Sequence, residues 1–243
     1  MACAEHVRIL TEGGAAQWNV WRMDNISLTP DLEDADLSGG DWAGVDLRGA
    51  NLRGANLSES TLRNAILADA MLENADLSGT DASGAALYGA DFTQADLSGA
   101  VLRSSDLCRA RLVRANLKEA DCSQAALLHA DLSEGRLERS RFHRSNLTGA
   151  RMVNATLNGA MFEDAQMMWV DLSGANLQQT NLRRAGLEES KLTGSCLRDA
   201  DLSEAVMRQA NLEAAELKGA KLKATQLDDA RLPDGKHPAN LAS

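Results

Sequence analysis

Large apolar residues fall on every fifth position of this chain from Leu32 to Leu232. The register holds 41 positions and 32 of them are Leu. The others are Trp42, Ala82, Phe92, Cys122, Phe142, Met152, Phe162, Met167 and Met207, and no step is skipped. Two residues before each centre, from Ala35 to Ala230, 27 of 40 positions are Ala and the rest are Gly, Ser, Thr or Val. A period of five matches neither the 3.6 of a helix nor the 2 of a plain strand. It fits a three-residue strand followed by a two-residue turn. In an extended segment, residues i−2 and i point to one side and residue i−1 to the other. Each repeat therefore puts one small and one large side chain inward and one polar residue, often Asp or Asn, outward. The second turn residue is Gly in 13 repeats, for example Gly49 and Gly54. That choice suits a type II turn, whose second central residue needs a positive φ.

The stretch VDLRGANLRGANLSES at residues 45–60 states this A(D/N)LxG pattern most plainly. Run on without gaps over residues 30–234, it resembles the pentapeptide-repeat family. The resemblance implies an all-β solenoid, a right-handed quadrilateral β-helix with four repeats per coil. About ten coils at ~4.8 Å each would make a rod roughly 45–50 Å long. The chain then divides into a cap at 1–29, the β-helix at 30–234 and a tail at 235–243. A solenoid must cover its ends. Val7, Ile9 and Leu10 suggest a short helical cap ended by Gly13–Gly14, with Trp18 and Trp21 packed just beyond it. The tail has no helical pattern, so the C-terminal coil is expected to pair end to end with that of a second copy. Leu241 of the tail and a side-by-side dimer through Trp169 are the competing covers.

Composition agrees with a thin, regular core. Apolar residues make up 44% of the chain but aromatic ones only 3%. No apolar run is long enough to span a membrane, and the N-terminus lacks the pattern of a signal peptide. Cys3, Cys108, Cys122 and Cys196 are far apart, with no spacing for a disulfide framework or zinc site. Free thiols in a reducing cytosol are expected, hence a cytoplasmic protein. The four histidines form no ligand motif, and no phosphate loop or nucleophile elbow is present. The chain reads as a non-enzyme without metal or cofactor.

Charge narrows the partners. The net charge is −10, which argues against direct nucleic-acid binding. Residues 30–100 hold 13 acidic against 3 basic side chains, while residues 101–150 hold 9 basic against 6 acidic. The basic band, Arg103, Arg109, Arg111, Arg114, Arg136, Arg139, Arg141 and Arg144, has no interleaved aromatics and reads as a salt-bridged surface. With four repeats per coil, residues twenty apart stack. The side centred on Leu47 then shows an apolar stripe, Ile66, Tyr88, Leu128, Met168, Trp169 and Val206, with smaller apolar residues between. A contiguous patch of this kind marks an interface. The leading function is therefore a protein-interaction scaffold or regulator whose partner the sequence does not name. The resemblance supplies an alternative: some acidic family members imitate duplex DNA, bind bacterial DNA gyrase and give resistance to its poisons. Here Asp31, Glu33, Asp34, Asp36, Asp41, Asp46, Asp76, Asp91 and Asp96 would stand in for phosphates.

Overall fold

The computed structural model of the chain describes residues 3–233. From Asp31 to Arg231 the chain forms one continuous parallel ladder in which every bridge joins residues twenty apart, such as Asp46 with Ile66 and Asn211 with Arg231. Four pentapeptides therefore close one coil, and the molecule is a square β-helix. Each repeat makes the same bonds. Leu47 donates its N–H to the Ile66 carbonyl at 2.7 Å, Gly49 to the Ala68 carbonyl at 2.9 Å, and Ile66 to the Val45 carbonyl at 2.8 Å. Ala50 closes the turn on the Leu47 carbonyl at 3.0 Å, the i to i+3 bond of a β-turn.

All 40 corners from Asp34 to Asp229 have positive φ. Only 13 are Gly; the other 27 carry L side chains in the left-handed region, at a cost of about 1 kcal/mol or more each. The outward Asp or Asn offsets part of this. Its Oδ1 accepts the N–H two residues on, as Asp36 does from Ser38 at 3.2 Å and Asp96 from Ser98 at 2.8 Å. This local bond favours the turn and explains why Asp and Asn alternate at that position.

The Leu centres fill the axis. Leu52, Leu97 and Leu127 are fully buried, and Phe142 stacks on Phe162 with centroids 4.9 Å apart. Inward hydroxyls turn back on the chain, as Ser60 does in donating to the Leu57 carbonyl at 2.6 Å. Gly40 has a different reason to be small: a Cβ there would collide with the Trp42 indole.

The expected cap is longer than the sequence suggested. Helix α1 spans Ala4–Asp24, with one non-helical residue, Gly14, at φ 66° and ψ −177°. The glycine pair kinks the helix instead of ending it, because α1 resumes and keeps its partners on the first coil. Trp18 is fully buried and donates its indole N–H to the Asp46 carbonyl at 2.7 Å. Asn19 grips the same edge, donating to the Gly44 carbonyl at 2.9 Å and accepting from the Asp46 N–H at 2.8 Å. On the neighbouring edge, His6 Nδ1 accepts the Asp31 N–H at 3.0 Å. The expected cover by Leu241 lies outside the described residues.

Candidate protein-interaction surfaces

The four sides of the rod differ in what they present outward. On the Leu47 side the ladder places Ile66 and Ala86 in one column and Tyr88, Cys108, Leu128 and Met168 in the next. Trp169 stands at the corner and Val206 lies two coils further along. The six stripe residues thus share one side, but they are not equally available. Ile66, Leu128, Met168 and Val206 are half-buried between neighbours, whereas Tyr88 is 38% and Trp169 53% exposed. Trp169 is the one large apolar residue among the 40 corners, and it sits there at φ 59°. An indole both strained and solvated is costly on two counts. Tyr88 is covered on one face by the Arg109 guanidinium, 5.8 Å from its centroid.

The nine acidic residues do not converge on one surface. Asp36, Asp76 and Asp96 share the Leu37 side, with Asn56 between the first two. Asp31, Glu33 and Asp91 lie on the Leu32 side, Asp41 on the Trp42 side, Asp46 on the Leu47 side and Asp34 at a corner. Seven of them, Asp31, Asp36, Asp41, Asp46, Asp76, Asp91 and Asp96, also accept a turn N–H. Contacts to the Ser38 hydroxyl and N–H hold Asp36 below the usual carboxylate range. The Arg48 guanidinium, 2.6 Å away, does the same for Asp46.

The basic band is mostly spent within the protein. Arg103, Arg111, Arg114, Arg136, Arg139, Arg141 and Arg144 each approach a carboxylate. Much of this pairing runs between coils. Along one column of the Leu32 side, Asp91, Arg111, Asp131, Arg151, Asp171 and Lys191 alternate in sign, with pairs at 3.6, 3.7 and 4.0 Å. Asp121 is buried, which alone would raise its pKa. Ser123 and Arg103 overturn that and leave it lowered. Arg109, Glu188 and Glu189 have no ion-pair partner among the described residues.

One exposed apolar group escaped sequence reading. Val20, Met23, Ile26 and Leu28 lie open at the cap end, 60%, 74%, 70% and 41% exposed. Ala16, Val20 and Met23 have the spacing of one helix stripe, a signal lost once α1 is taken to stop at Gly14. Among the described residues no group of His, Cys, Asp and Glu is arranged to hold a metal, and no helix is long and apolar enough to cross a membrane.

Short strands, square coils and an unbroken twenty-residue ladder define a quadrilateral β-helical solenoid. Models of pentapeptide repeats match residues 31–69, 55–94, 95–133 and 195–232, and a pentapeptide repeat region matches 115–192. The chain belongs to the pentapeptide-repeat family, whose members fold as right-handed quadrilateral β-helices. Among solved structures it is similar to HetL, a pentapeptide repeat protein involved in heterocyst differentiation regulation in the cyanobacterium Nostoc. The two are 31% identical over 88% of this chain and 96% of that one, with a TM-score of 0.48. Rfr23 from the cyanobacterium Cyanothece is 28% identical over 43% of this chain and 64% of that one, TM-score 0.23. QnrB1, a plasmid-mediated fluoroquinolone resistance protein, is 19% identical over 80% and 90%, TM-score 0.30. No curated protein matches the chain.

Proposed function

We propose that the chain is a non-enzymatic, cytoplasmic protein-interaction scaffold or regulator that docks through the Leu47 side. The observation that carries this is Trp169, held exposed in a backbone conformation that disfavours bulky side chains. Strain and exposed apolar area of this kind persist where a surface has work to do. The test is affinity capture with the wild-type chain and with Tyr88→Glu/Trp169→Glu. A partner held by the first and lost by the second supports the reading; capture indifferent to the change refutes it.

A second reading draws on the first coils. Asp36, Asp76 and Asp96 form an anionic column on the Leu37 side, which would compete with DNA for a basic channel such as that of gyrase. In a supercoiling assay the chain would then inhibit gyrase or relieve a poison, and Asp36→Asn/Asp76→Asn/Asp96→Asn would weaken the effect. No effect at large excess ends this reading.

An end-to-end homodimer is the alternative mode of self-association, and it would rest on the half-buried Leu217, Leu222 and Leu227 of the last coil. Among the described residues their N–H groups meet no carbonyl, an edge that invites pairing. Sedimentation of Leu222→Glu tests it: an unchanged dimer excludes this contact.

A further inference from the structure

Arg109, Glu189 and Trp169 are left over by the internal pairing, and their spacing along the rod is symmetric. All three are corners of the Leu47 side, where one coil is twenty residues. Arg109 lies two coils before Gly149, and Glu189 lies two coils after it. Leu128 and Met168 stand one coil to either side of Thr148, as do His129 and Trp169 about Gly149.

We propose that the partner of this surface is a second copy of the chain, packed side by side and antiparallel about a two-fold axis at the level of Gly149. The inference rests on the reading of the Leu47 side as a docking surface and names its occupant. A two-fold perpendicular to the rod reverses the coil order and keeps each column facing itself. Residue j of one copy then meets the residue equally far on the other side of the axis. Arg109 faces Glu189, Leu128 faces Met168, His129 faces Trp169 and Tyr88 faces Arg208. Each match occurs twice. Gly149, lacking a side chain, leaves room at the axis for the His129 imidazole, which lies over it. Shifting the axis by half a coil one way sets Leu128 on Thr148 and Glu189 on Gly89, and shifting it the other way sets Leu128 on Glu188 and Arg109 on Gln209. The Arg109–Glu189 match, made twice, therefore sets the register of the antiparallel pair. From Tyr88 to Arg208 the contact spans six coils, about 29 Å. On one side of a narrow rod this is a small interface, so association is expected in the micromolar range.

Sedimentation velocity of the wild-type chain up to about 1 mM should show a monomer–dimer equilibrium. Trp169→Glu should abolish the dimer while leaving the monomer's melting temperature unchanged. Arg109→Glu and Glu189→Arg should each weaken it about tenfold, with like charges in both copies of the contact. The double exchange should restore it. Thr148→Cys, on the axis, should cross-link to itself under mild oxidation where the wild type does not. A monomer throughout overturns the proposal, as does a dimer indifferent to Trp169→Glu. A dimer without rescue by the exchange and without the Thr148→Cys link overturns the register. If the chain is monomeric yet loses a captured protein with Tyr88→Glu/Trp169→Glu, this inference fails and the docking surface stands. If neither association nor capture responds, both fall.

Discussion

The first and last coils are built from the same repeat and end in opposite ways. At the first, α1 lays Trp18 and Leu10 over the axis and both are fully buried. Its side chains meet the free groups of Asp31, Gly44 and Asp46, and Arg22 donates to the Leu28 and Arg48 carbonyls at 2.8 and 3.3 Å. At the last, Leu217, Leu222 and Leu227 point inward like every other centre but are only half-buried. A solenoid's stability is a sum of coils and the interfaces between them. An inward Leu is therefore worth its full amount only with a coil on either side. The sharpest test is a charge placed at equivalent positions. Leu97→Asp buries an unpaired carboxylate between two coils, a cost of several kcal/mol, and should abolish the cooperative melt by circular dichroism. Leu222→Asp puts the same charge at an end that water reaches, and should fray the last coil while leaving the main transition close to the parent's. Equal loss in both would show that the last coil is as closed as the middle.

The cap end offers a second break. Trp18→Ala removes the largest fully buried side chain of the protein and its bond to the Asp46 carbonyl. It should cost about 3–5 kcal/mol, read as a lower denaturant midpoint. A change under about 1 kcal/mol would mean that the first coil does not need α1. Asn19→Ala separates packing from hydrogen bonding at the same place. It strips partners from the Asp46 N–H and the Gly44 carbonyl, both met by one amide. The expected loss is about 1–3 kcal/mol, smaller than that of Trp18→Ala.

Geometry decided how much of the fold was legible in the sequence. The five-residue register determined which side chains point inward, because a strand of three residues leaves them no other choice; Leu97 and Ala100 are both buried as that rule requires. Trp18 was legible as cap core for the same reason, a large apolar residue beside an end that needs cover. The extent of α1 was not, because a glycine's effect on a helix depends on the tertiary partners of the residues after it. Gly13–Gly14 would end an isolated helix, but Trp18, Asn19 and Arg22 have partners on the coil that hold the second half in place. The acidic residues were half legible. Their outward direction came from the register. That Asp31, Asp41 and Asp76 each brace a turn was hidden in the interchange of Asp with Asn. The pairing that consumes the arginine band needs the twenty-residue stacking, which brings Arg151 to Asp131 and Arg144 to Asp164.

The smallest expected effect compares the two ends through acid. Asp46 lies on the first coil, and its carboxyl is held low by the Arg48 guanidinium, against the opposing pull of burial. Asp201 lies one coil from the end. Burial would raise it, but the Ser203 hydroxyl and N–H, with Lys221 and Arg183, leave it lowered as well. Lys221 belongs to the last coil and reaches back 3.7 Å to Asp201. A carboxylate whose pKa is lower in the folded chain binds protons less readily there than when unfolded. Its contribution is therefore complete above the unfolded value of about 3.9 and disappears as pH falls through the lower folded value. The melting temperature should be flat between about pH 7 and 5 with respect to these groups and should fall below about pH 4. Arg48→Met and Lys221→Met should each make that fall shallower while costing under about 1 kcal/mol at neutral pH, since both cations are largely solvated. Arg48 should have the larger effect, because it makes two short bonds to Asp46, at 2.9 and 2.6 Å, where Lys221 makes one longer contact. If Lys221→Met shifts the acid limb more than Arg48→Met, the last coil is held by charge and the first by packing, and the two ends differ in kind as well as in cover.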